Sequence, residues 1–367
     1  MANELLARRI ERAQEVMRER GVDFLFVAPS SDLVYFFDLA AHASERLLLL
    51  IIPRQGQAHL VVANFERPHA AGKENLVQLH TWEEHERPLE LVHDIVSGVK
   101  APTIGISDQM RAGFLVGMLE TLPDAAFVNG TGIIRELRMV KDEDEIAKLK
   151  QAAAMADAAW EEFAATAKLS GKTEREAASE LAALRAKHGL EVTSIGICAS
   201  GPNSAAPHHR TGERVIQAGD SVVFDFGGKY EHYTADVTRT VHIGEPSDEY
   251  RRAYDTVLRA NEAAVPFYRP GVECQEVDQA ARAVIEDAGY GQYFSHRLGH
   301  GLGLDGHEEP YLVKGNTLPL RAGMVFSDEP GIYIPGRFGI RIEDSVVVRE
   351  GGGEKINHAR RELVVLE

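Results

Sequence analysis

Two aspartates stand in the middle of two apolar strand patterns, and this constrains the chain more than any other feature. Ser221–Phe226 reads S-V-V-F-D-F and Thr234–Val241 reads T-A-D-V-T-R-T-V. Gly227, Gly228 and a polar stretch between them complete a hairpin signal. Asp225 and Asp236 are eleven positions apart. An odd separation around an even-numbered loop predicts that they sit directly opposite each other on one face of the sheet. Two carboxylates opposed inside an apolar strand pair repel and are costly to bury. Either one holds a proton, or a cation sits between them, or the pair lies at a solvated edge.

Two later segments bear on that choice. His296-Arg-Leu-Gly-His300-Gly-Leu-Gly-Leu-Asp-Gly-His307 places three imidazoles within twelve residues, with four glycines after position 298. Glycine allows a backbone to come close to a neighbour or a ligand. Further on, Glu329 ends an apolar strand pattern, and Glu343 lies between Ile342 and the run Val346–Val348. Arg341 is two residues before Glu343 and shares its face, so a plain salt bridge is open to that pair. Taken together, Asp225, Asp236, His300, Glu329 and Glu343 form a set of four carboxylates and one imidazole on separate strands. A charge of −4 is balanced by two divalent cations, and this donor chemistry suits Mn²⁺, Co²⁺, Fe²⁺ or Zn²⁺ rather than a thiolate-type metal.

The segments F-D-F-G-G, D-V-T-R-T, H-R-L-G-H-G-L-G-L-D-G-H-E, D-E-P-G-I-Y and G-I-R-I-E-D closely resemble the dinuclear metallopeptidases of the pita-bread fold. Within them they are similar to the Xaa-Pro branch, which contains prolidase and aminopeptidase P. The resemblance covers about residues 135–367. It implies an α+β chain: a pita-bread catalytic domain at 133–367, preceded by a small α/β creatinase-like domain at 1–132. It implies two metal ions (Mn²⁺, Co²⁺ or Zn²⁺) on Asp225, Asp236, His300, Glu329 and Glu343, with Asp236 and Glu343 bridging. Glu329 would also carry the catalytic proton. His208 and His307 would touch the scissile carbonyl and the tetrahedral intermediate, with His208 preferred over its neighbour His209. His296 would line the proline pocket, and Arg341 would hold Glu343 or a hydroxyl beside the substrate. The implied activity is hydrolysis of the imide bond between an N-terminal residue and proline in dipeptides or short peptides, by a homodimer.

One position departs from that pattern. Several prolidases carry arginine in H-E-x-P-R, where it can bind a dipeptide's C-terminal carboxylate. Here the segment is His307-Glu-Glu-Pro-Tyr311, and a phenol cannot supply that charge. This favours longer peptides, as in an Xaa-Pro aminopeptidase, unless Arg337 or Arg210 substitutes. A different amide hydrolase on the same scaffold and a non-catalytic binding module are the remaining alternatives. The intact set of five metal-type residues counts against both.

Composition narrows the classes further. Forty Lys and Arg against 56 Asp and Glu give a net charge of −16, which argues against a nucleic-acid or anionic-membrane surface. The longest aliphatic run, Leu47–Ile52, is far short of the roughly 20 residues of a membrane span. There is no signal-peptide pattern, and two cysteines, Cys198 and Cys274, fit a reducing compartment. A cytoplasmic protein is expected. In the first part, a helix over 4–20 precedes short strands at Val22–Val27, Leu47–Ile52, Gln57–Val62, Thr103–Ser107 and Ala126–Asn129, with 67–100 read as polar and helical. In the second, helices are expected at about 143–168, 174–188, 247–267 and 275–287.

Overall fold

The computed structural model describes residues 2–367, which fall into two compact units, Met1–Arg138 and Met139–Glu367. The division lies beyond the expected 132. That position is inside the helix Thr131–Met139, whose Ile133, Ile134 and Leu137 are buried.

The first unit is built on one six-stranded sheet. Its order is Val77–Trp82, Ala58–Ala63, Leu49–Pro53, Phe24–Val27, Thr103–Ile106, Ala126–Asn129. Only Leu49–Pro53 runs antiparallel to its neighbours. Phe24–Val27 is fully buried along its length, as a short apolar run covered on both faces should be. Phe24, Phe26, Leu49, Ile51 and Ile104 form a core with Trp82, Val92 and Met118. The segment 67–100 corrects the helical expectation. It holds a 3₁₀ turn (Asn64–Ala70), the edge strand Val77–Trp82 and only one helix, Pro88–Val96. Val77-Gln-Leu-His begins with the apolar/polar alternation of a half-buried strand, but Thr81-Trp82 breaks it and polar residues flank the segment.

The second unit contains two main sheets. One has the order Val364–Leu366, Tyr233–Ile243, Ser221–Tyr230, Ile197–Ser200; the other has Glu308–Leu312, Gly299–Gly301, Val325–Asp328, Asp344–Arg349, Gly352–Lys355. A bridge between Thr238 and Glu343 joins them. Gly331–Ile334 and Phe338–Arg341 form a separate hairpin. The helices Glu143–Thr166 and Glu174–Lys187 each start with a capping box, at Asp142 and Thr173. This satisfies the first free N–H groups of each helix. Trp160 and Phe163 of the first helix pack on Phe224 and Phe226 of the long hairpin. The helices Asp248–Ala263 and Cys274–Asp287 pack Tyr254, Val257, Ala281 and Ile285 in one core with Phe326, Val346 and Val348 of the other sheet. Each sheet therefore has a helix pair on one face. Strand alternation then sends the intervening residues, Asp225, Asp236, Glu329 and Glu343, to the opposite face.

Candidate active site

The hairpin register differs from the direct opposition expected for the two aspartates. The strands continue through Gly227–Tyr230 and close in a two-residue turn at Glu231-His232, both with positive φ, a hairpin turn geometry. Asp225 is therefore opposite Thr238, and Asp236 is opposite Gly227. The aspartates share a face but are diagonal neighbours. The loop is even-numbered, as anticipated; its position along the chain sets the pairing.

Glycines bring the histidine strand into place. A Cβ on residue 299 would overlap the Ser327 carbonyl oxygen, and one on residue 301 the Glu309 carbonyl oxygen. Both neighbouring strands thus press against the backbone that carries His300. His300 Nδ1 faces the Gly301 carbonyl at 3.1 Å, which leaves Nε2 3.2 Å from Glu329 Oε1 and 3.8 Å from Asp236 Oδ2. Glu329 is steadied by the Ser327 hydroxyl, which donates to Oε1 at 3.2 Å. Glu343, 2% exposed, accepts from Thr238 Oγ1 at 2.6 Å.

All five expected side chains converge. Oxygen or nitrogen atoms of Asp225, Asp236 and Glu343 lie within 4.8 Å of one another, as do those of His300, Glu329 and Glu343, and those of Asp236, His300 and His307. Asp236, His300 and Glu343 each belong to two of these groups. The electrostatics follow from this crowding. Burial, followed by the neighbouring Asp225, pushes Asp236 up to about 8. Burial and the other three carboxylates push Glu343 well above its ordinary value. Burial also raises Asp225, against the pull of Arg341. Glu329 goes the other way: its burial is outweighed by His300, Arg341 and His296, which bring it down to about 2. His300 is buried too, but Glu329 and Asp236 raise it. Asp225, Asp236 and Glu343 thus hold on to protons for want of positive charge, even with Arg341 and Arg185 acting on Asp225. The donor set and its charge deficit fit divalent cations.

Arg341 does not bond to Glu343. Its guanidinium, 3% exposed, donates to Asp225 Oδ2 at 2.6 Å, Thr238 Oγ1 at 3.0 Å, Tyr333 Oη at 3.0 Å and the Pro207 carbonyl at 3.3 Å. Thr238 relays it to Glu343. With its donors spent inside the protein, Arg341 positions other groups. The relay continues through Tyr333 Oη to His296 Nε2 at 2.9 Å, while His296 Nδ1 faces the Arg297 carbonyl at 2.7 Å.

His307 stacks on His300 with ring centroids 3.7 Å apart. Loss of water on that side, then the charges of His300 and Arg297, push it down to about 4, so it is neutral near pH 7. His208 is exposed and close enough to lower the pKa of both His296 and His307. Its neighbour His209 is instead bound to the buried Glu174 at 2.8 Å. Thr238, Ser327 and Tyr333 were missed in the sequence. Each lies two or four residues from Asp236, Glu329 or Glu343 on a strand or its continuation, and a period-two search outward from the acids finds them. Arg337 donates twice to Glu249 at 2.8 Å and is committed there. Arg210 lines a cavity of about 520 Å³ together with Asp225 and Asp236.

Comparison with known proteins agrees with this geometry. Residues 147–350 match the model of metallopeptidase family M24, and residues 9–140 match the creatinase/prolidase N-terminal domain. A probable dipeptidase PepE of Mycobacterium bovis is 39% identical over 99% of this chain and 97% of its own length. An Xaa-Pro dipeptidase of Pyrococcus horikoshii is 32% identical over 98% of this chain and 100% of its own. The crystal structure of dipeptidase PepE from Mycobacterium ulcerans superposes with a TM-score of 0.94 at 39% identity, covering 100% of this chain and 99% of that one. With a catalytic unit of this fold, a creatinase-type N-terminal unit and relatives along its whole length, the chain belongs to metallopeptidase family M24.

Proposed function

We propose that the protein is a metal-dependent Xaa-Pro peptidase that hydrolyses the imide bond between an N-terminal residue and proline in dipeptides or short peptides. The observation that carries this reading is the buried cluster of Asp225, Asp236, His300, Glu329 and Glu343, short of positive charge, in a family M24 chain with an Xaa-Pro dipeptidase among its relatives. Asp225, Asp236 and Glu343 would hold one ion and His300, Glu329 and Glu343 a second, with Asp236 and Glu343 between them. Mn²⁺, Co²⁺ or Zn²⁺ is the proposed metal. When bound, such a pair lowers the pKa of water and polarises a carbonyl, giving a nucleophile at neutral pH.

The protein's own groups supply the rest. Glu329 takes the proton of the attacking water and passes it to the departing proline nitrogen, which carries no hydrogen of its own. Ser327 fixes the carboxylate for both transfers. His307 and His208 donate to the developing oxyanion. The chain Arg341–Tyr333–His296 fixes the wall that receives the proline ring. Among the described residues no helix is long and apolar enough to cross a membrane. A cytoplasmic homodimer is part of the proposal, and light scattering at twice 40.4 kDa would support the dimer.

A second reading, an Xaa-Pro aminopeptidase acting on longer peptides, is favoured by Tyr311 in place of a carboxylate-binding arginine. Rates on Ala-Pro, Ala-Pro-Ala and Ala-Ala, before and after chelation, separate the cases. Ala-Pro cleavage that is lost on chelation and restored by a divalent ion is expected. Cleavage of Ala-Ala in preference to either proline peptide would contradict both readings.

A further inference from the structure

Arg297 lies in the histidine segment directly after His296, and its guanidinium sits over the ring of Tyr311, 4.2 Å from the centroid. Its Nη2 is 3.4 Å from Nδ1 of His307. Among the described residues no carboxylate is paired with it, whereas Arg282 is held by Asp278, Arg337 by Glu249 and Arg341 by Asp225. A guanidinium that stacks through its face keeps its edge free, and that edge is a planar fork of donors matched to a carboxylate. Tyr311 therefore holds the Arg297 guanidinium against its ring, and one Arg297 donor is turned toward His307.

We propose that Arg297 anchors the C-terminal carboxylate of a dipeptide substrate and so sets the peptide length that the site prefers. The proposal rests on the Xaa-Pro peptidase reading and decides between its two forms. The geometry is short enough. His307 stacks on His300 at 3.7 Å, and His300 Nε2 is 3.2 Å from Glu329. Arg297 is thus one ring beyond the groups that would surround the scissile carbonyl. In an Xaa-Pro dipeptide only the proline nitrogen and Cα separate that carbonyl carbon from the terminal carboxyl carbon, a span of about 3–4 Å. A longer peptide presents a neutral amide at the same place, which cannot meet the guanidinium charge. Arg210, also considered from sequence, lines a cavity that reaches Asp225 and Asp236 but whose walls include neither His300 nor His307, the side on which Arg297 lies.

The test compares kcat/KM of the metal-loaded enzyme for Ala-Pro and for Ala-Pro amide, which differ only in the terminal charge. The wild type should favour the free acid by about tenfold or more, the size of one partly exposed charge-assisted pair. Arg297→Gln should lose that preference, the ratio of kcat/KM for Ala-Pro to that for Ala-Pro amide falling toward one through a higher KM for Ala-Pro. Arg297→Lys, which keeps the charge and loses the fork, should fall between. Melting temperatures near wild type would exclude a folding defect. Equal rates on the two peptides in the wild type, or an undiminished preference in Arg297→Gln, would overturn the proposal. Failure of the wild type to cleave either peptide would instead overturn the Xaa-Pro reading on which it rests.

Discussion

Glu343 and Asp344 are consecutive, both are buried to 2% or less, and their surroundings are opposite. Asp344 meets Arg239 at 2.8 Å, Lys355 at 3.1 Å and Arg361 at 3.5 Å. Although burial opposes it, these cations hold its pKa below the ordinary value. Glu343 faces Asp236, Glu329 and Asp225, and burial together with that company drives it up. The same alternation divides two other neighbouring pairs. Thr238 donates to Glu343 while Arg239 pairs with Asp344. Glu329 meets His300 while Asp328 meets Tyr268 and Lys355. One side of these segments is an ion network in which Arg239, Lys355 and Arg361 outweigh the burial of Asp344, although burial still raises Asp328 to about 7 and leaves its Oδ1 without a partner. The other is an acid cluster that the protein leaves incomplete. A buried charge in a structural role is paired within the chain; a cluster left short of countercharge marks where an external cation belongs.

Substitutions should separate the two sides. Glu343→Gln is expected to lower kcat by about 10³-fold or more, because it removes the carboxylate common to both proposed ion sites. The same change should leave the metal-free protein as stable as wild type or more so, since it deletes an uncompensated buried acid. Steady-state rates on Ala-Pro and thermal melts of chelated protein check both halves. Asp344→Asn should do the reverse. It leaves Arg239 buried without its carboxylate and should cost about 3–5 kcal/mol of unfolding free energy in urea. The fraction that remains folded should still bind metal. Equal destabilisation by the two variants would erase the distinction between the two sides.

Smaller effects sharpen it. Thr238→Val keeps the shape but removes the hydroxyl that links Arg341 to Glu343. Leaving these buried groups short of a partner costs about 1–3 kcal/mol. The expected signature is weaker metal affinity by calorimetry at nearly unchanged secondary structure. The first unit supplies a control with the opposite pH sense. His59 Nδ1 lies 3.0 Å from His80 Nε2, and burial lowers both pKa values, with His80 adding to the effect on His59. Folded imidazoles that resist protonation contribute stability above the unfolded value near 6.5, lost as pH falls through their lowered values. His80→Gln should flatten that acid-side loss in the melting curve below about pH 6.5.

The sequence made the acids legible because each lies in a strand pattern where an unpaired carboxylate is out of place. Asp225, Asp236, His300, Glu329 and Glu343 could be named as a set before any contact was known. What it hid was set by register. Shifting the turn to Glu231-His232 makes Thr238, not Asp236, the partner of Asp225. The sequence bears no direct mark of that choice, since Gly227 and Gly228 look like a turn but lie within the strand. Arg341 was visible as a same-face neighbour of Glu343. That it reaches instead to Asp225 depends on how two sheets meet at the Thr238–Glu343 bridge. Arg297 could not be distinguished from other surface arginines, because stacking on Tyr311 joins a residue of the irregular segment before Gly299 to the edge strand Glu308–Leu312.

The most direct measurement is the melting temperature of chelated and metal-loaded protein across pH 6 to 9. In the metal-free fold Asp236 holds its proton up to about pH 8, while an unfolded aspartate releases it near 3.9. Between those values the folded state binds more protons than the unfolded state, so stability falls as pH rises. With divalent ions bound, the cluster is ionised in the fold and this fall should vanish. A metal-free melting temperature that drops toward pH 9, beside a metal-loaded one that stays level, is the expected result. Two parallel curves would show that no cation completes the acid cluster and would contradict its assignment as the metal site.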